Sequence, residues 1–141
     1  PAPLAEALSP DELADLLGRE CGRIQNGHVP YMTALYYLTN NAGGLTRWAV
    51  KPATASLTSW ARRAQITADR AGLLCSRSLD VSLAVLRRDK GVLDTARRER
   101  ALTRFAGSQY FRKLVGQEGG EPAGACDAAV AELLSDDEGT P

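Results

Sequence analysis

The apolar positions near the start of the chain repeat with a helical period. Leu13, Leu16, Leu17, Cys21 and Ile24 recur at steps of three and four residues. This spacing places them on one face of an α-helix. We therefore predict a first helix in "LSPDELADLLGRECGRI", ended by "QNGH", that buries this apolar stripe against the rest of the protein.

Capping residues mark both ends of this helix. Ser9 is a typical N-cap, and Glu12 completes an S-x-x-E capping box. Gly27 in "QNGH" predicts a left-handed cap at the other end. Gly18 and Gly22 lie inside the helix, where each costs roughly 1 kcal/mol relative to alanine. Their presence predicts that another element packs closely at these two positions.

The remaining pattern is also helical. A second helix is predicted from Pro30 until "TNNAGG", and residues 45–55 are predicted to be irregular because Pro52 interrupts them. A long helix follows in "SLTSWARRAQITADRAGLLC". Further helices are predicted in "SLDVSLAVLRRD", which Ser78 caps, in "DTARRERALTRFAGSQYFRKLV" and in "CDAAVAELL". No segment alternates with period two, so we predict a mainly α fold with little or no β-sheet.

The length of 141 residues suits one domain. We assign it to residues 1–135 and predict that residues 136–141, in the acidic "SDDEGTP" end, form a disordered tail. Because the chain begins at Pro1 rather than methionine, we expect it to be a piece of a longer protein.

Charge is unevenly distributed although the net charge is zero. Residues 1–46 carry 2 basic and 5 acidic groups, residues 47–113 carry 15 and 5, and residues 114–141 carry 0 and 7. An Arg-rich middle could bind nucleic acid or another anionic partner. The basic residues lack interleaved aromatics, however, so we expect solvated helix faces with the acidic segments folded back near them.

The cysteines and the hydropathy pattern indicate a cytoplasmic protein. The chain has three cysteines, Cys21, Cys75 and Cys126. Because their number is odd and they lie far apart in the sequence, we expect buried, reduced thiols and neither disulfides nor a zinc cluster. The chain contains no run of 18 apolar residues and no basic-then-apolar leader at its start.

Two stretches together resemble the HtpX-like and CaaX-prenyl-protease-type zinc metallopeptidases of the gluzincin group. In that family one helix bears H-E-x-x-H, followed shortly by G-H, and a later helix carries E-x-x-A-D-R-x-G-L. "LSPDELADLLGRECGRIQNGH" is similar to the first motif region, and "WARRAQITADRAGLL" is similar to the second. The resemblance covers most of residues 4–90 and implies the helical part of a zincin-like fold, without the family's upstream strands.

The departures from the family pattern fall on the metal ligands. Arg19 and Arg23 stand where the two histidines are expected, and Gln65 replaces the third ligand, a glutamate. Zinc needs lone-pair donors, whereas arginine stays protonated and offers only N–H groups. Glu20 matches the family's general base, but without a metal it has neither an acidified water nor a Lewis acid to work with. We expect no metal, no cofactor and no catalytic residue.

Arginine also suggests a structure that replaces the metal. Residues 19 and 23 share one helix face, as do residues 65 and 69 on the later helix. We expect at least one guanidinium to reach Asp69 or the Gln65 carbonyl oxygen and to bridge the helices. The resemblance therefore predicts a remnant cleft lined by Arg19, Glu20, Arg23, Gln65 and Asp69, which would act as a cationic pocket for a peptide or a carboxylate.

His28 is the only histidine, which excludes a metal site built from protein imidazoles, and we expect it to make a hydrogen bond at a helix end. The favoured interpretation is a catalytically inactive metallopeptidase homologue that binds a protein or peptide or assembles into a homo- or hetero-oligomer. One alternative is a zinc endopeptidase whose metal site other chain segments complete. Another is an Arg-rich module for an anionic partner or nucleic acid.

Overall fold

A computed structural model describes residues 6–41, 44–89 and 91–135 of the chain, with no description of the side chains of residues 39, 41 and 44–53. The described part is mainly helical and contains no strand, as the pattern predicts. Its helices, in chain order, are α1 (Pro10–Gln25), α2 (His28–Asn41), α3 (Gly44–Ser76), α4 (Leu79–Arg88), α5 (Thr95–Ala106), α6 (Gln109–Leu114) and α7 (Ala123–Ser135).

The predicted caps of α1 are confirmed. The Ser9 hydroxyl accepts the Glu12 backbone N–H, and the Glu12 carboxylate accepts the Ser9 N–H at 2.9 Å. At the other end Gly27 has φ of +64°, the left-handed conformation that glycine adopts without steric cost. Ser78 caps α4 in the same way, by accepting the backbone N–H of Val81.

The buried face of α1 differs from the prediction. Leu17 is 55% exposed, Ile24 is 70% exposed, and Cys21 is exposed as well. The residues that α1 buries are Asp15, Gly18, Arg19 and Gly22. The apolar stripe is therefore not the packing face, because α1 meets α3 through glycines and a buried ion pair.

Glycines bring α1 and α3 close together, as their position in the helix predicts. A Cβ on Gly22 would lie 2.7 Å from the Ala71 Cβ. A Cβ on Gly18 would lie 2.9 Å from the Ala71 carbonyl oxygen and 2.7 Å from the Cys75 Sγ. Backbones this close place short polar side chains of one helix within reach of the other.

The prediction of an irregular segment at residues 45–55 is wrong, because α3 runs from Gly44 to Ser76 as one 33-residue helix. Pro52 has no N–H, so the helix lacks one i to i−4 hydrogen bond at that point without ending there. The other large difference is the break at Gly107 and Ser108, which divides the predicted long fifth helix into α5 and α6.

Two apolar clusters form the core on the other side of α3. The larger cluster joins α3 to α4, α5, α6 and α7 through Leu73, Leu86, Leu102, Phe105, Phe111 and Cys126. The smaller cluster contains Ile66, Leu93, Ala101 and Val130. With α3 anchored in this way, its opposite face is available to α1 and α2. Among the helices of the described ranges, none is both long enough and apolar enough to cross a bilayer.

The acidic C-terminal segment folds back onto the basic middle, as the charge pattern predicts. Arg104 pairs with Glu121, and Arg70 lies 2.9 Å from Asp127. From the N-terminal part, Glu12 reaches Arg88 at 2.9 Å. The predicted tail, residues 136–141, lies outside the described residues.

All three cysteines are free thiols, but only one has the predicted burial. Cys126 is buried in the larger apolar cluster, whereas Cys21 and Cys75 are exposed. Burial raises the pKa of the Cys126 thiol and keeps it protonated, which agrees with a packing role for that residue.

Candidate functional site

Arg19 lies at the centre of the contact between α1 and α3, and its side chain is 1% exposed. Its Nε donates to Asp15 Oδ1 at 2.7 Å, one turn earlier on the same helix. Its Nη2 donates to the Ser82 carbonyl oxygen at 3.1 Å. Its Nη1 lies 3.0 Å from Asp69 Oδ1, within ion-pair distance but without hydrogen-bond alignment. Arg19 thus connects α1, α3 and α4.

A second buried arginine, Arg98 on α5, meets the same aspartate from the other side. Arg98 Nε donates to Asp69 Oδ2 at 2.9 Å, and Nη2 donates to Asp69 Oδ1 at 2.8 Å. Arg98 also donates to the Asp89 carboxylate at 2.9 Å and to the Asp89 carbonyl oxygen at 3.1 Å. Burial alone would lower the pKa of Arg98, but the hydrogen bonds and charges of Asp69 and Asp89 outweigh it and raise that pKa.

Asp15 is fully buried and receives hydroxyl donors in addition to Arg19. Ser82 on α4 donates to Asp15 Oδ2, and Ser76 on α3 donates to the same oxygen at 3.2 Å. The two hydroxyl oxygens lie 2.9 Å apart. Four helices therefore meet in one buried cluster, which we call the ion cluster: Asp15, Arg19, Ser76, Ser82, Asp69, Asp89 and Arg98.

Arg23, one turn after Arg19, does not belong to the interior of this cluster. Its side chain is 30% exposed and pairs with Glu20, which is 49% exposed. Its Nη2 lies 3.8 Å from Asp89 Oδ2, beyond hydrogen-bond distance. The two arginines thus have different roles, since Arg19 is a buried bridge between helices and Arg23 forms a partly exposed surface ion pair.

Gln65 does not contact either arginine through any described hydrogen bond. Its Oε1 accepts the backbone N–H of Leu93 at 2.9 Å. Its side-chain amide lies against Gly91 so closely that a Cβ there would be 1.5 Å from Nε2. Positions 19, 23 and 65 are nevertheless neighbours, because all three side chains approach Asp89 or the adjoining residues 91–93.

A groove of about 670 Å³ lies between α2 and α3 beside these positions. Arg23, Gln65 and Asp89 form its polar end, and its walls include Val29, Met32, Tyr37 and Val92. Of the five residues that the sequence predicts for a cleft, Arg23 and Gln65 line this groove. Glu20 lies at the surface beside Arg23, and Arg19 and Asp69 are buried beneath the groove.

His28 begins α2 and lines the same groove, with 8% of its surface exposed. Its ring stands edge-on to Trp60, with centroids 5.2 Å apart. Burial lowers the pKa of His28, and the positive charge of Arg23 lowers it further. Nδ1 makes no hydrogen bond within the described residues, contrary to the predicted helix-end hydrogen bond.

The residues present do not fit the zinc ion that the family resemblance implies. Arg19 and Arg23 have no lone pair to offer, and Gln65 Oε1 is already an acceptor for Leu93. Within the described ranges, no three side chains from His, Cys, Asp or Glu are grouped so as to hold a metal ion. Arg19 and Arg23 instead pair with carboxylates.

Five members of the ion cluster are not identified by reading the sequence alone: Asp15, Ser76, Ser82, Asp89 and Arg98. Asp15 could have been identified from the sequence, because Asp and Arg four residues apart on a helix commonly form an ion pair. The other four meet their partners only because the fold brings α1, α3, α4 and α5 together.

Comparison with known proteins identified no relative of this chain. No family model, no curated protein and no solved structure matches this chain.

Proposed function

We propose that this chain is a catalytically inactive homologue of the HtpX-like zinc metallopeptidases, built on the helical part of a zincin-like fold, and that it serves as a binding or assembly module. The observation that carries this proposal is the position of Arg19. It would replace the first histidine of the H-E-x-x-H motif, and it lies buried among carboxylates: it donates to Asp15 and to the Ser82 carbonyl oxygen and lies within ion-pair distance of Asp69.

The ion cluster accounts for why such a substitution is tolerated. A guanidinium offers several N–H donors in a fixed plane, so a single side chain can join groups from three helices. In the proposed ancestor the metal would have joined α1 and α3 through ligands at positions 19, 23 and 65. Arg19 would keep α1 attached to α3 and α4 without the metal and without its Lewis-acid chemistry.

The groove differs from the cationic pocket that the sequence suggests. Arg19 is buried and neutralised by aspartates, so Arg23 is the only one of the two arginines at the groove surface. Arg23 is flanked in turn by Glu20 and Asp89. The polar end therefore has no surplus of positive charge, and the apolar walls are better suited to a protein surface than to a free carboxylate.

The two alternatives receive less support. Among the described residues, the Arg19 side chain is only 1% exposed and is already paired with Asp15, which disfavours a metal site completed there by another chain. Many basic residues of the middle segment, such as Arg70, Arg87, Arg98 and Arg104, already pair with carboxylates. This pairing reduces the cationic surface available to nucleic acid.

Introducing the family's metal ligands at positions 19, 23 and 65 tests the family relation. The variant Arg19→His, Arg23→His, Gln65→Glu should bind one zinc ion, because it supplies two imidazoles and a carboxylate at neighbouring positions. We expect zinc to raise the unfolding free energy of this variant by about 2.7 kcal/mol at a free zinc concentration about 100 times Kd. Isothermal titration with zinc and chemical unfolding with and without zinc measure both effects.

A matched control keeps Gln65 and changes only the two arginines. With one ligand fewer, that double variant should bind zinc more weakly than the triple variant. Circular dichroism establishes whether each variant is folded. A triple variant that folds but binds zinc no better than the native chain would contradict the proposed kinship.

A further inference from the structure

A second groove, of about 790 Å³, lies where α3 ends and α4 begins, beside α5 and α6. Its apolar lining is formed by Leu79, Ala106, Phe111, Leu114 and Val115. Its polar lining is formed by Arg77, Thr103, Arg112 and Gln117. No Asp or Glu is among the described residues that line it. This groove therefore joins an apolar surface to two positive charges without a negative one.

The two arginines of this groove, Arg77 and Arg112, lack the carboxylate partners that most of the described arginines have. The Arg77 side chain makes no ion pair and no hydrogen bond with a described residue. The Arg112 side chain makes one long hydrogen bond, in which Nη1 lies 3.5 Å from the Glu118 carbonyl oxygen. Both charges thus remain available to an anion from outside the chain.

Arg77 also has an unusual backbone conformation. Its φ is +55°, and among the described residues it is the only one other than glycine with a positive φ. It directly follows α3, and its N–H donates to the Leu73 carbonyl oxygen at 2.8 Å. Glycine is the usual residue at such a helix end, because a side chain is sterically unfavourable in this conformation. A strained arginine beside a groove indicates a role for its side chain.

We propose that this groove binds a small organic phosphate, in which a phosphate monoester is attached to an apolar or aromatic body. Near neutral pH such a phosphate carries about −1.5 to −2 charges, which two guanidinium groups balance, whereas a single carboxylate would leave one of them unpaired. Guanidinium groups also bind phosphate oxygens in a bidentate manner. The apolar lining suits the rest of the ligand, and the volume lies within the range of small-molecule sites.

The phosphate site shares no residue with the positions that carry the proposed peptidase kinship. The kinship depends on positions 19, 23 and 65, whereas phosphate binding depends on Arg77 and Arg112. The groove beside α2 has no lining residue in common with this one either. The phosphate site and the proposed function can therefore fail separately.

Titration with phenyl phosphate at about pH 8, followed by two-dimensional NMR, tests the site. We expect saturable shifts of the resonances of residues around the groove, with a Kd of about 1 mM or tighter. Inorganic phosphate lacks the apolar body, and benzoate carries a single charge. Each should bind at least about fivefold more weakly than phenyl phosphate.

Arg77→Gly and Arg112→Gln should each weaken the binding of phenyl phosphate by about tenfold. Glycine adopts a positive φ without steric cost, so the Arg77→Gly variant should stay folded, which separates loss of binding from loss of structure. Arg63→Gln is the matched control, because Arg63 is exposed on α3, does not line the groove and carries the same charge. This change should leave the Kd unaltered.

A native chain without saturable shifts up to about 10 mM phenyl phosphate would overturn the proposal. So would folded Arg77→Gly and Arg112→Gln variants that bind like the native chain, or an equal loss of affinity in Arg63→Gln. Equally tight binding of inorganic phosphate would reject an organic ligand, and equally tight binding of benzoate would reject a dianion.

Discussion

Replacing Arg19 with methionine is expected to lower the free energy of unfolding by about 3–5 kcal/mol. Among the described residues, Arg19 is the only cation that contacts the buried Asp15 carboxylate, so the change leaves Asp15 with the hydroxyls of Ser76 and Ser82. A buried charge without a counterion is strongly unfavourable, and methionine cannot supply one. Urea unfolding of the native and variant chains, followed by circular dichroism, measures the difference.

Arg23→Met on the same helix is the matched control. Arg23 is half-exposed and pairs with the exposed Glu20, so its loss should change the unfolding free energy by no more than about 1 kcal/mol. The double variant Asp15→Asn, Arg19→Met should recover part of the loss, because it also removes the uncompensated charge. Equal effects of Arg19→Met and Arg23→Met would show that the ion cluster does not hold α1 in place.

Replacing Gly72 with alanine is expected to destabilise the chain by about 2 kcal/mol through overpacking. The new Cβ would lie 2.8 Å from the Arg19 Cγ and 2.9 Å from the Asp15 backbone carbonyl oxygen. Side chains could rotate, but the carbonyl belongs to the backbone of α1, so that helix would have to move away from α3. Thermal and urea unfolding measure the loss.

Gly124→Ala, in the first turn of α7, separates overpacking from helix propensity. A Cβ at Gly124 would meet no atom within 4 Å. This change should be neutral or should stabilise the chain by up to about 1 kcal/mol, the usual difference between the two residues in a helix. If Gly72→Ala behaves like Gly124→Ala, the close approach of α1 to α3 is not a tight constraint.

Local signals in the sequence predicted much of the helical framework. The capping box of Ser9 and Glu12, the left-handed Gly27 and the Ser78 cap depend on residues within a few positions of one another. Such contacts are independent of the rest of the fold. The break at Gly107 and the continuation of α3 through Pro52 were not predicted.

The buried face of α1 shows where reasoning from hydropathy fails. Leu17 and Ile24 have the spacing of a core stripe, yet they are exposed, and Asp15 and Arg19 are buried instead. Hydropathy treats charged residues as solvent-facing, but two opposite charges four residues apart can be buried together when they neutralise one another. The exposed apolar residues of α1 and α2 are then available for a partner.

The candidate site was predictable in part. The sequence predicted that a guanidinium from α1 would reach Asp69, and Arg19 does so at 3.0 Å. It did not identify Arg98, which takes both Asp69 oxygens from α5, or Asp89, which lies between the ion cluster and the groove. Those contacts join residues far apart in the chain, and no local pattern indicates them.

The central claim is that arginines occupy the positions where a metallopeptidase would hold its zinc. The most direct measurement is the zinc content of the purified native chain after equilibration with excess zinc and removal of the free metal. The account predicts no stoichiometric zinc and no chelator-sensitive cleavage of peptides. One tightly bound zinc per chain, with peptide cleavage that stops when a chelator removes it, would contradict the account.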